Sequence, residues 1–209
     1  MPKIVDHVQR REEIALVACQ VVAKHGLEKA TMARIAKAAG YTTGMVAHYY
    51  RSKQEIILAA LRLMLIRIEA RLVRERSNAS ANLRTALSET LPLDEARATE
   101  CAFWMAFWSQ VPSDKSLQRL NEWVREEYTR QYARCFAKYW PEWCEWPSRL
   151  RSAVLRRISV CINGLTVLAV TSPEHWPPRT QSAFLEAELQ LLRRWAGAQH
   201  DQPLAMGIP

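Results

Sequence analysis

The apolar residues of this chain recur at three- and four-residue intervals, the spacing of one face of a helix. Sustained alternation of apolar and polar residues with turn dipeptides at hairpin spacing is absent, and only six of the 209 residues are glycine. This pattern predicts an all-α protein without a sheet. Besides two short helices near the N-terminus, we expect helices over residues 6–24, 53–77, 83–91, 94–111, 115–140, 148–171 and 179–196.

Residues 31–53 contain the two short helices, joined by a turn with a glycine. Thr31 can cap the first helix, and Gly40 stands where a left-handed residue ends it. The second helix, capped by Thr42 or Thr43, has one apolar side and one small polar side. The apolar side carries Met45, Val46 and Tyr50, and the other carries Thr43, Gly44, Ala47, His48 and Tyr49. Ser-Lys-Gln-Glu at 52–55 is a capping box that opens a long helix. The segment is therefore a predicted helix-turn-helix, whose second helix enters the major groove of DNA.

These residues resemble the TetR family of bacterial transcriptional repressors. The family motif Thr-x3-Ile-Ala-x2-Ala-Gly-x3-Gly-x3-His-Tyr-Phe-x2-Lys is matched here from Thr31 to Lys53, with Tyr50 in place of Phe. Ala47 stands where many members carry an aromatic residue that contacts the DNA backbone. The resemblance implies an N-terminal three-helix DNA-binding domain followed by a C-terminal helical domain for ligand binding and dimerisation.

The resemblance also implies which residues contact a double-stranded operator. The expected DNA-binding residues are Thr31, Thr42, Thr43, Gly44, Met45, His48, Tyr49 and Lys53. Among them, we expect Tyr49 and Lys53 to hold phosphates and Thr43 to read a base edge. Outside the motif, Arg10, Arg11 and Lys3 either contact the DNA or remain solvated charges.

Composition narrows the class of protein further. The formal charge is +8, which favours a polyanionic partner, although a solvated basic surface is the commoner meaning of such a balance. Catalytic motifs, cofactor loops and metal-ligand spacings are absent, so we expect no enzyme, no cofactor and no metal site. The five cysteines lack Cys-x2-Cys spacing, which leaves a redox sensor as a minor alternative. Without a signal peptide or an 18-residue apolar run, we expect a cytoplasmic protein with no membrane partner.

All eight tryptophans lie after residue 100. Aromatic residues at helical spacing are more often core than ligand site, but the TetR family has a ligand cavity in this domain. Trp104-Met-Ala-Phe-Trp108, together with the N-terminal motif, resembles the choline-responsive repressors of glycine-betaine synthesis genes. That subgroup implies a quaternary ammonium effector held by aromatic faces and a nearby acid. The candidate effector residues are Trp104, Trp108, Trp123, Glu100 and Asn163. For Glu100 the alternative is a solvated acid in the first turns of a helix.

Asn163 occupies a position where the subgroup usually has Asp, in Asp-Gly-Leu. This removes a charge, so an uncharged or different cationic effector also fits, as does a multidrug-type repressor that senses bulky lipophilic ligands. The last two long helices carry wide apolar stripes, which by the same resemblance form a homodimer interface; burial within one chain is the alternative. The predicted domains are residues 1–55 for DNA binding, 56–198 for effector binding and dimerisation, and 199–209 as a loose tail.

Overall fold

A computed structural model describes residues 7–201, and within them the protein consists of α-helices and two short 3-10 helices without a strand. The all-α prediction is confirmed. In chain order the helices are α1 (His7–His25), α2 (Met32–Ala39), α3 (Thr43–Tyr49), α4 (Lys53–Ser77), α5 (Leu83–Ser88), α6 (Glu95–Trp108), α7 (Lys115–Tyr139), α8 (Ser148–Thr171) and α9 (Pro178–Asp201).

Several helix ends differ from the prediction for local reasons. Helix α6 ends at Trp108, where the Ser109 hydroxyl donates to the Ala106 carbonyl at 2.9 Å, and a 3-10 helix that contains Pro112 follows at 111–113. Helix α5 likewise stops at Ser88, three residues before its predicted end. A second 3-10 helix at 141–144 follows α7 and was not predicted.

The C-terminal end also corrects the prediction. Helix α9 continues to Asp201, so the first three residues of the predicted tail are helical. Gly197 lies inside the helix, where a single glycine costs only about 1 kcal/mol, and Pro203, which disfavours helix at the residue before it, lies two residues beyond Asp201. The remainder of the tail, and Lys3 and Asp6 at the other end, lie outside the described residues.

The chain divides into two compact units whose boundaries cut through the long fourth helix. The first unit comprises Met1–Ile68 with Glu95–Val124, and the second comprises Glu69–Asp94 with Arg125–Pro209. Helix α6 therefore groups with the N-terminal helices. The functional domains at 1–55 and 56–198 stay a prediction, since a compact unit is a statement about contacts rather than about function.

The first unit is built around α1, which packs against both α2 and α6. Its apolar interior draws on each of these helices and on α3 and α4. The fully buried residues include Ile14, Ala18, Ile35, Val46, Ile56, Leu61, Met64, Phe103 and Phe107. The helix-turn-helix segment is therefore connected to α6 through α1, which packs against both.

The second unit packs α8 on α9 and α5 on α9. Both long helices bury one stripe and leave a second apolar stripe exposed. The exposed apolar residues here are Val160, Val167, Leu168, Phe184 and Leu191, of which Val160 is 73% and Leu191 51% exposed. By length and composition α8 could cross a bilayer, but the core helices of soluble proteins commonly meet the same criterion. Exposed apolar stripes of this extent mark a surface that a partner covers.

Candidate DNA-reading head and effector site

The caps of α2 and α3 fix the geometry of the helix-turn-helix. The Thr31 hydroxyl accepts a hydrogen bond from the Arg34 amide at 3.2 Å, and Gly40 ends α2 with a φ of 73°. A side chain at Gly40 would strain the backbone, because that φ lies in the left-handed region. Of the two candidates for the next cap, Thr42 holds the position and accepts from the Met45 amide at 3.1 Å. Thr43 thereby becomes the first residue of α3.

Helix α3 buries one side and exposes the other, which is how a reading helix must be placed. Val46 is fully buried and Tyr50 is 1% exposed. The exposed residues are Thr42, Thr43, Gly44, Ala47 and His48, with Met45 half-buried. An added Cβ at Gly44 would meet only the Thr42 hydroxyl, at 4.0 Å, so the helix backbone is open to close approach here.

Tyr49 differs from the placement expected for it. Its ring packs against His7 and His48, with centroids 5.5 and 5.3 Å away, and the residue is only 8% exposed. This corrects its assignment to the exposed side, because the start of α1 covers the last turn of α3. Its predicted contact with a phosphate is untested.

Lys53 lies at the first position of α4, beside the reading helix. Its ammonium group donates to the Glu28 carbonyl at 3.3 Å, which ties the start of α4 to the segment between α1 and α2. The side chain is half-buried and keeps further donors for a phosphate. The position of Lys53 therefore fits a contact with a DNA phosphate, which stays a prediction.

Arg11 makes several contacts inside the head, which is the three-helix segment α1–α3 that contains the helix-turn-helix. Its guanidinium donates to the Tyr49 carbonyl, lies 4.2 Å from the Tyr50 ring centroid and reaches the Glu55 carboxylate at 3.3 Å. The Tyr50 hydroxyl returns a hydrogen bond to the Arg11 carbonyl at 2.8 Å. The sequence predicted either a phosphate contact or a solvated charge for Arg11, and neither prediction includes these contacts within the protein.

Glu55 completes this brace at the start of α4. Its carboxylate accepts from the Arg51 amide at 2.8 Å, while its own amide donates to the Ser52 hydroxyl at 3.2 Å. The bond from the Arg51 amide, with help from Arg11, lowers the pKa of Glu55. Ser52 thus caps α4 as predicted, whereas the Glu55 carboxylate accepts from the Arg51 amide, one residue before the amide that a capping box uses. Sequence spacing gives no signal for the contact with Arg11, which is 44 residues away.

Arg10 makes a second brace, to the turn between α2 and α3. It donates to the Tyr41 hydroxyl and pairs with Glu13 at 3.0 Å, and Tyr41 in turn donates to Glu13 at 2.8 Å. The two arginines together fasten both ends of α3 to α1. The head is therefore held as one body.

The α6 aromatic group consists of Phe103, Trp104, Phe107 and Trp108. The two indoles lie with centroids 6.4 Å apart and planes inclined by 30°, and Trp104 contacts Phe103 and Phe107 edge-on at 5.8 and 6.0 Å. Trp104 is 4% exposed and Trp108 is half-buried. The indoles are too close to hold a cation between them, so one would have to lie across their shared edge.

Glu100 lies one helical turn before Trp104, and it is not a solvated acid. Its side chain is 8% exposed, and the Arg67 guanidinium of α4 lies 3.5 Å from its carboxylate. Buried Cys19 of α1 lies close enough to Glu100 and Arg67 for both charges to affect the pKa of its thiol. A carboxylate with this little exposure must keep a positive or hydrogen-bonding neighbour.

The other two candidate effector residues belong to other helices. Trp123 belongs to α7 and is 38% exposed. Asn163 lies in the second unit, exposed on the same stripe of α8 as Val160 and Val167. The structure thus brings together Glu100, Trp104 and Trp108 on α6, and the contact of Asn163 with the effector stays a prediction.

A pocket of about 280 Å³ lies in the second unit, between α5, the end of α7 and α9. Its charged groups are engaged in two ion pairs, Arg84 with Glu186 and Arg193 with Glu142, at 3.2 and 2.6 Å. None of the candidate effector residues lines it. Its chemistry therefore gives no reason to move the effector site there.

Metal and thiol chemistry find little support. Among residues 7–201, no three His, Cys, Asp or Glu side chains are grouped as metal ligands. Burial raises the pKa of the Cys19 thiol to about 12 and that of Cys161 to about 11. Because the thiolate is the reactive form, these cysteines are poor redox sensors.

An exposed, capped helix N-terminus on a three-helix head, followed along the chain by helices with an exposed apolar face, is typical of a helix-turn-helix DNA-binding regulator. Comparison with known proteins gives the family. Residues 14–60 match the model of bacterial regulatory proteins of the tetR family, and residues 79–194 match the C-terminal domain of BetI-type transcriptional repressors. The chain belongs to the TetR family, with a BetI-type C-terminal domain.

Individual relatives agree with this assignment. The chain is 26% identical to the HTH-type transcriptional regulator BetI 1 of Chromohalobacter salexigens over 96% of its length and 100% of the relative's. It is 31% identical to the BetI regulator of Burkholderia thailandensis, covering 79% of this chain and 84% of that one. A transcriptional regulator of Saccharomonospora viridis, solved in complex with choline, shares the fold with a TM-score of 0.72 at 18% identity, over 88% of this chain and 96% of that one.

The protein is therefore a transcriptional repressor and not an enzyme. Like its family, it binds operator DNA, dimerises and responds to a small-molecule effector. The predicted family, fold class and general function are confirmed.

Proposed function

We propose that the exposed side of α3 reads a palindromic operator and that Thr43 contacts a base edge. The observation that carries this proposal is the exposure of Thr42, Thr43, Gly44 and His48 at the start of a helix whose other side is buried. Residues near the N-terminus of a recognition helix meet base edges in the major groove. Thr31, at the cap of α2, Met45, Tyr49 and Lys53 complete the proposed contact surface, with Lys53 on a phosphate.

Two substitutions separate base reading from phosphate binding. Thr43→Ala should cost roughly 1 kcal/mol or more on the operator and little on random DNA. Lys53→Ala should weaken binding to every sequence alike and reduce the salt slope by roughly one unit. Lys138→Ala, at an exposed lysine of the second unit, is the matched control and should change neither measurement. Equal losses of Thr43→Ala on both DNAs would contradict base reading, and an unchanged slope would contradict the phosphate contact of Lys53.

We propose that the dimer forms through the exposed apolar stripes of α8 and α9. Val160 and Leu191, at 73% and 51% exposure, are the most exposed of these residues. A two-fold axis there would place two heads about 34 Å apart, as two half-sites one helical turn apart require. Val160→Asp and Leu191→Asp should each give monomers in sedimentation experiments while preserving helical content. Dimers that persist in both variants would place the interface elsewhere.

We propose choline or a related quaternary ammonium compound as the effector, bound beside the α6 aromatic group. The carrying observation is an almost fully buried acid, Glu100, one helical turn from Trp104. An aromatic face attracts a quaternary cation by about 0.5 to 2 kcal/mol, and a nearby carboxylate adds Coulomb attraction. The choline-bound regulator of the same fold supports this choice of ligand.

Calorimetry with the effector-free dimer tests this choice. Choline and betaine aldehyde should bind, and a bulky lipophilic dye should not. Choline should also release the operator over the concentration range in which it binds. The reverse preference would support the second candidate, a multidrug-type repressor. That candidate is favoured by the Arg67 guanidinium, which already pairs with Glu100 and leaves a mainly apolar wall.

In this proposal, the operator is released when the distance between the two heads of the dimer changes. We propose that the effector favours a conformation in which α4 swings, since α4 begins at the reading head. The shift is bounded by the difference in effector affinity between the two conformations. Equal head spacings in free and effector-bound dimers would contradict it. The site of action of a bacterial operator-binding repressor is the cytoplasm, where we place the protein.

A further inference from the structure

The Glu100–Arg67 ion pair joins two helices with different tasks. Glu100 belongs to α6, which carries the aromatic group, whereas Arg67 belongs to α4, which begins at the reading head. The acid and the base are unequally buried, with side-chain exposures of 8% and 43%. The carboxylate is therefore held in the interior, while the guanidinium already borders solvent.

This asymmetry decides which partner can leave. A buried carboxylate is destabilised when a positive neighbour leaves, so Glu100 favours a cation beside it. A guanidinium that is nearly half exposed can move into water at modest cost, because water solvates it well and long basic side chains keep their heads wet. Arg67 is therefore the partner that another cation can replace.

A cationic effector at the proposed site is the natural substitute for Arg67. Residues four apart on a helix are neighbours, so a cation beside Trp104 also lies beside Glu100. Its charge would attract the same carboxylate and repel the guanidinium 3.5 Å from that carboxylate. After exchange, the buried acid again has one positive neighbour.

We propose that Arg67 occupies the Glu100 carboxylate in the effector-free protein and that the cationic effector displaces it, freeing α4 from α6. This inference rests on the proposed function, because it needs a cation beside the α6 aromatic group. Arg67 lies 14 residues after Lys53, about 20 Å along α4 at 1.5 Å per residue. Removing an anchor at that distance changes the support of the helix that leads to the head.

The test compares choline with 3,3-dimethylbutan-1-ol, which has the same shape but no charge, by calorimetry on the full-length, DNA-free dimer. The wild type should prefer choline. Arg67→Met removes the competitor and should tighten choline binding roughly two- to fivefold, the amount expected of one partly exposed ion pair. Its affinity for the neutral alcohol should not change. Glu100→Gln should bring the two affinities close together.

A matched control removes a different ion pair of α4. Arg134 pairs with Glu69 at 3.1 Å, and both side chains are largely exposed. Arg134→Met deletes the same kind of side chain and should leave both affinities as they are. If Arg67→Met fails to fold, Arg67→Lys should tighten choline binding in the same direction but less, since the ammonium lacks the planar fork of arginine.

The outcomes separate this inference from the proposed function. If the wild type binds choline but neither Arg67→Met nor Arg67→Lys binds it more tightly, Arg67 does not compete and the inference is wrong, while the choice of effector stands. If no form of the protein binds choline, the effector class is wrong and the inference fails with it.

The link to DNA has its own readout. Without any effector, Arg67→Met should weaken operator binding in the direction that choline weakens it in the wild type, because α4 has lost the same anchor. Choline should then change operator affinity less in the variant than in the wild type. Unchanged operator affinity with unchanged choline response would overturn the coupling step.

Discussion

The molecule has two aromatic clusters of similar composition and different surroundings. The α6 aromatic group has two indoles and two phenyl rings next to a buried acid. The Trp140 group, formed by Phe136, Trp140, Trp143 and Trp146 in the second unit, has ring centroids 4.8 to 5.9 Å apart. All four of its residues are at most 5% exposed.

The difference between the two clusters lies in the charges around them. At the Trp140 group, the Arg193 guanidinium faces the Trp140 ring at 5.6 Å and is bound by Glu142 at 2.6 and 3.1 Å. The cation position next to that ring is therefore filled by the protein itself. At the α6 aromatic group the buried charge is negative, and Trp108 is half-buried. Both clusters are rich in aromatic residues. They differ in the nearby charge, which is a solvent-exposed arginine at the Trp140 group and a buried carboxylate at the α6 aromatic group.

The largest expected effect follows from truncating the Trp140 group. Trp143 stacks on Phe136 with centroids 5.0 Å apart and planes inclined by 19°. Trp143→Ala should therefore lower the free energy of unfolding by about 3 to 5 kcal/mol, the usual cost of emptying a packed aromatic position. Urea denaturation followed by circular dichroism measures the loss. A loss below about 1 kcal/mol would mean that this group is not a packed core.

A milder change at equivalent positions sharpens the comparison. Trp104→Phe should keep the dimer folded and DNA-bound but raise the choline concentration for operator release roughly three- to tenfold, since phenyl presents a weaker cation-binding face. Trp143→Phe, the matched control, should instead lower the melting temperature and leave the release concentration unchanged. Operator release and melting should be measured on both proteins. A large stability loss in Trp104→Phe with an unshifted choline response would make the α6 aromatic group a core.

The same pair of measurements on Trp108→Phe should give a smaller effect. Trp108 is half-buried, so less packing is lost than at Trp104, and we expect a stability loss of about 1 kcal/mol or less. The choline concentration for release should rise roughly twofold or more, because a second cation-binding face becomes weaker. An unchanged release concentration would remove Trp108 from the proposed site.

The smallest expected effect comes from the ion pair over Trp140. Arg193 is 54% exposed, so Arg193→Ala should cost only about 0.5 to 1 kcal/mol of stability and leave the choline response unchanged. Arg193 lowers the pKa of Glu142, so the pair stabilises the fold above the ordinary carboxyl pKa and loses that contribution as the pH falls through the lowered value. The stability difference between variant and wild type should therefore disappear in acid. A constant difference would locate the effect in packing alone.

The head was the part of the fold best predicted from sequence. Its caps at Thr31 and Thr42 and the left-handed Gly40 act between residues a few positions apart, so local spacing reveals them. Arg11 and Glu55 contact each other across 44 residues, and nothing in the spacing indicates that contact. Tyr49 was misplaced for the same reason, since its burial depends on the start of α1.

Prediction of the effector site was limited by tertiary packing too. Helical spacing placed Glu100 and Trp104 together correctly, because they share α6. It could not show that Arg67 of another helix pairs with Glu100, nor that Asn163 is exposed on the apolar stripe of α8. Among the aromatic residues, periodicity alone could not distinguish the Trp140 group from the α6 aromatic group, since both follow helical intervals.

The braces of Arg10 and Arg11 have a consequence for how operator preference can diversify. Arg10 contacts Tyr41, and Arg11 contacts Tyr49, Tyr50 and Glu55. Neither arginine contacts the side chains on the exposed side of α3. Thr43 and Ala47 can therefore be exchanged without disturbing these contacts, whereas His48 also packs against Tyr49. New base preferences can therefore arise by substitutions on the exposed side of α3, while the dimer and its response to the effector stay the same.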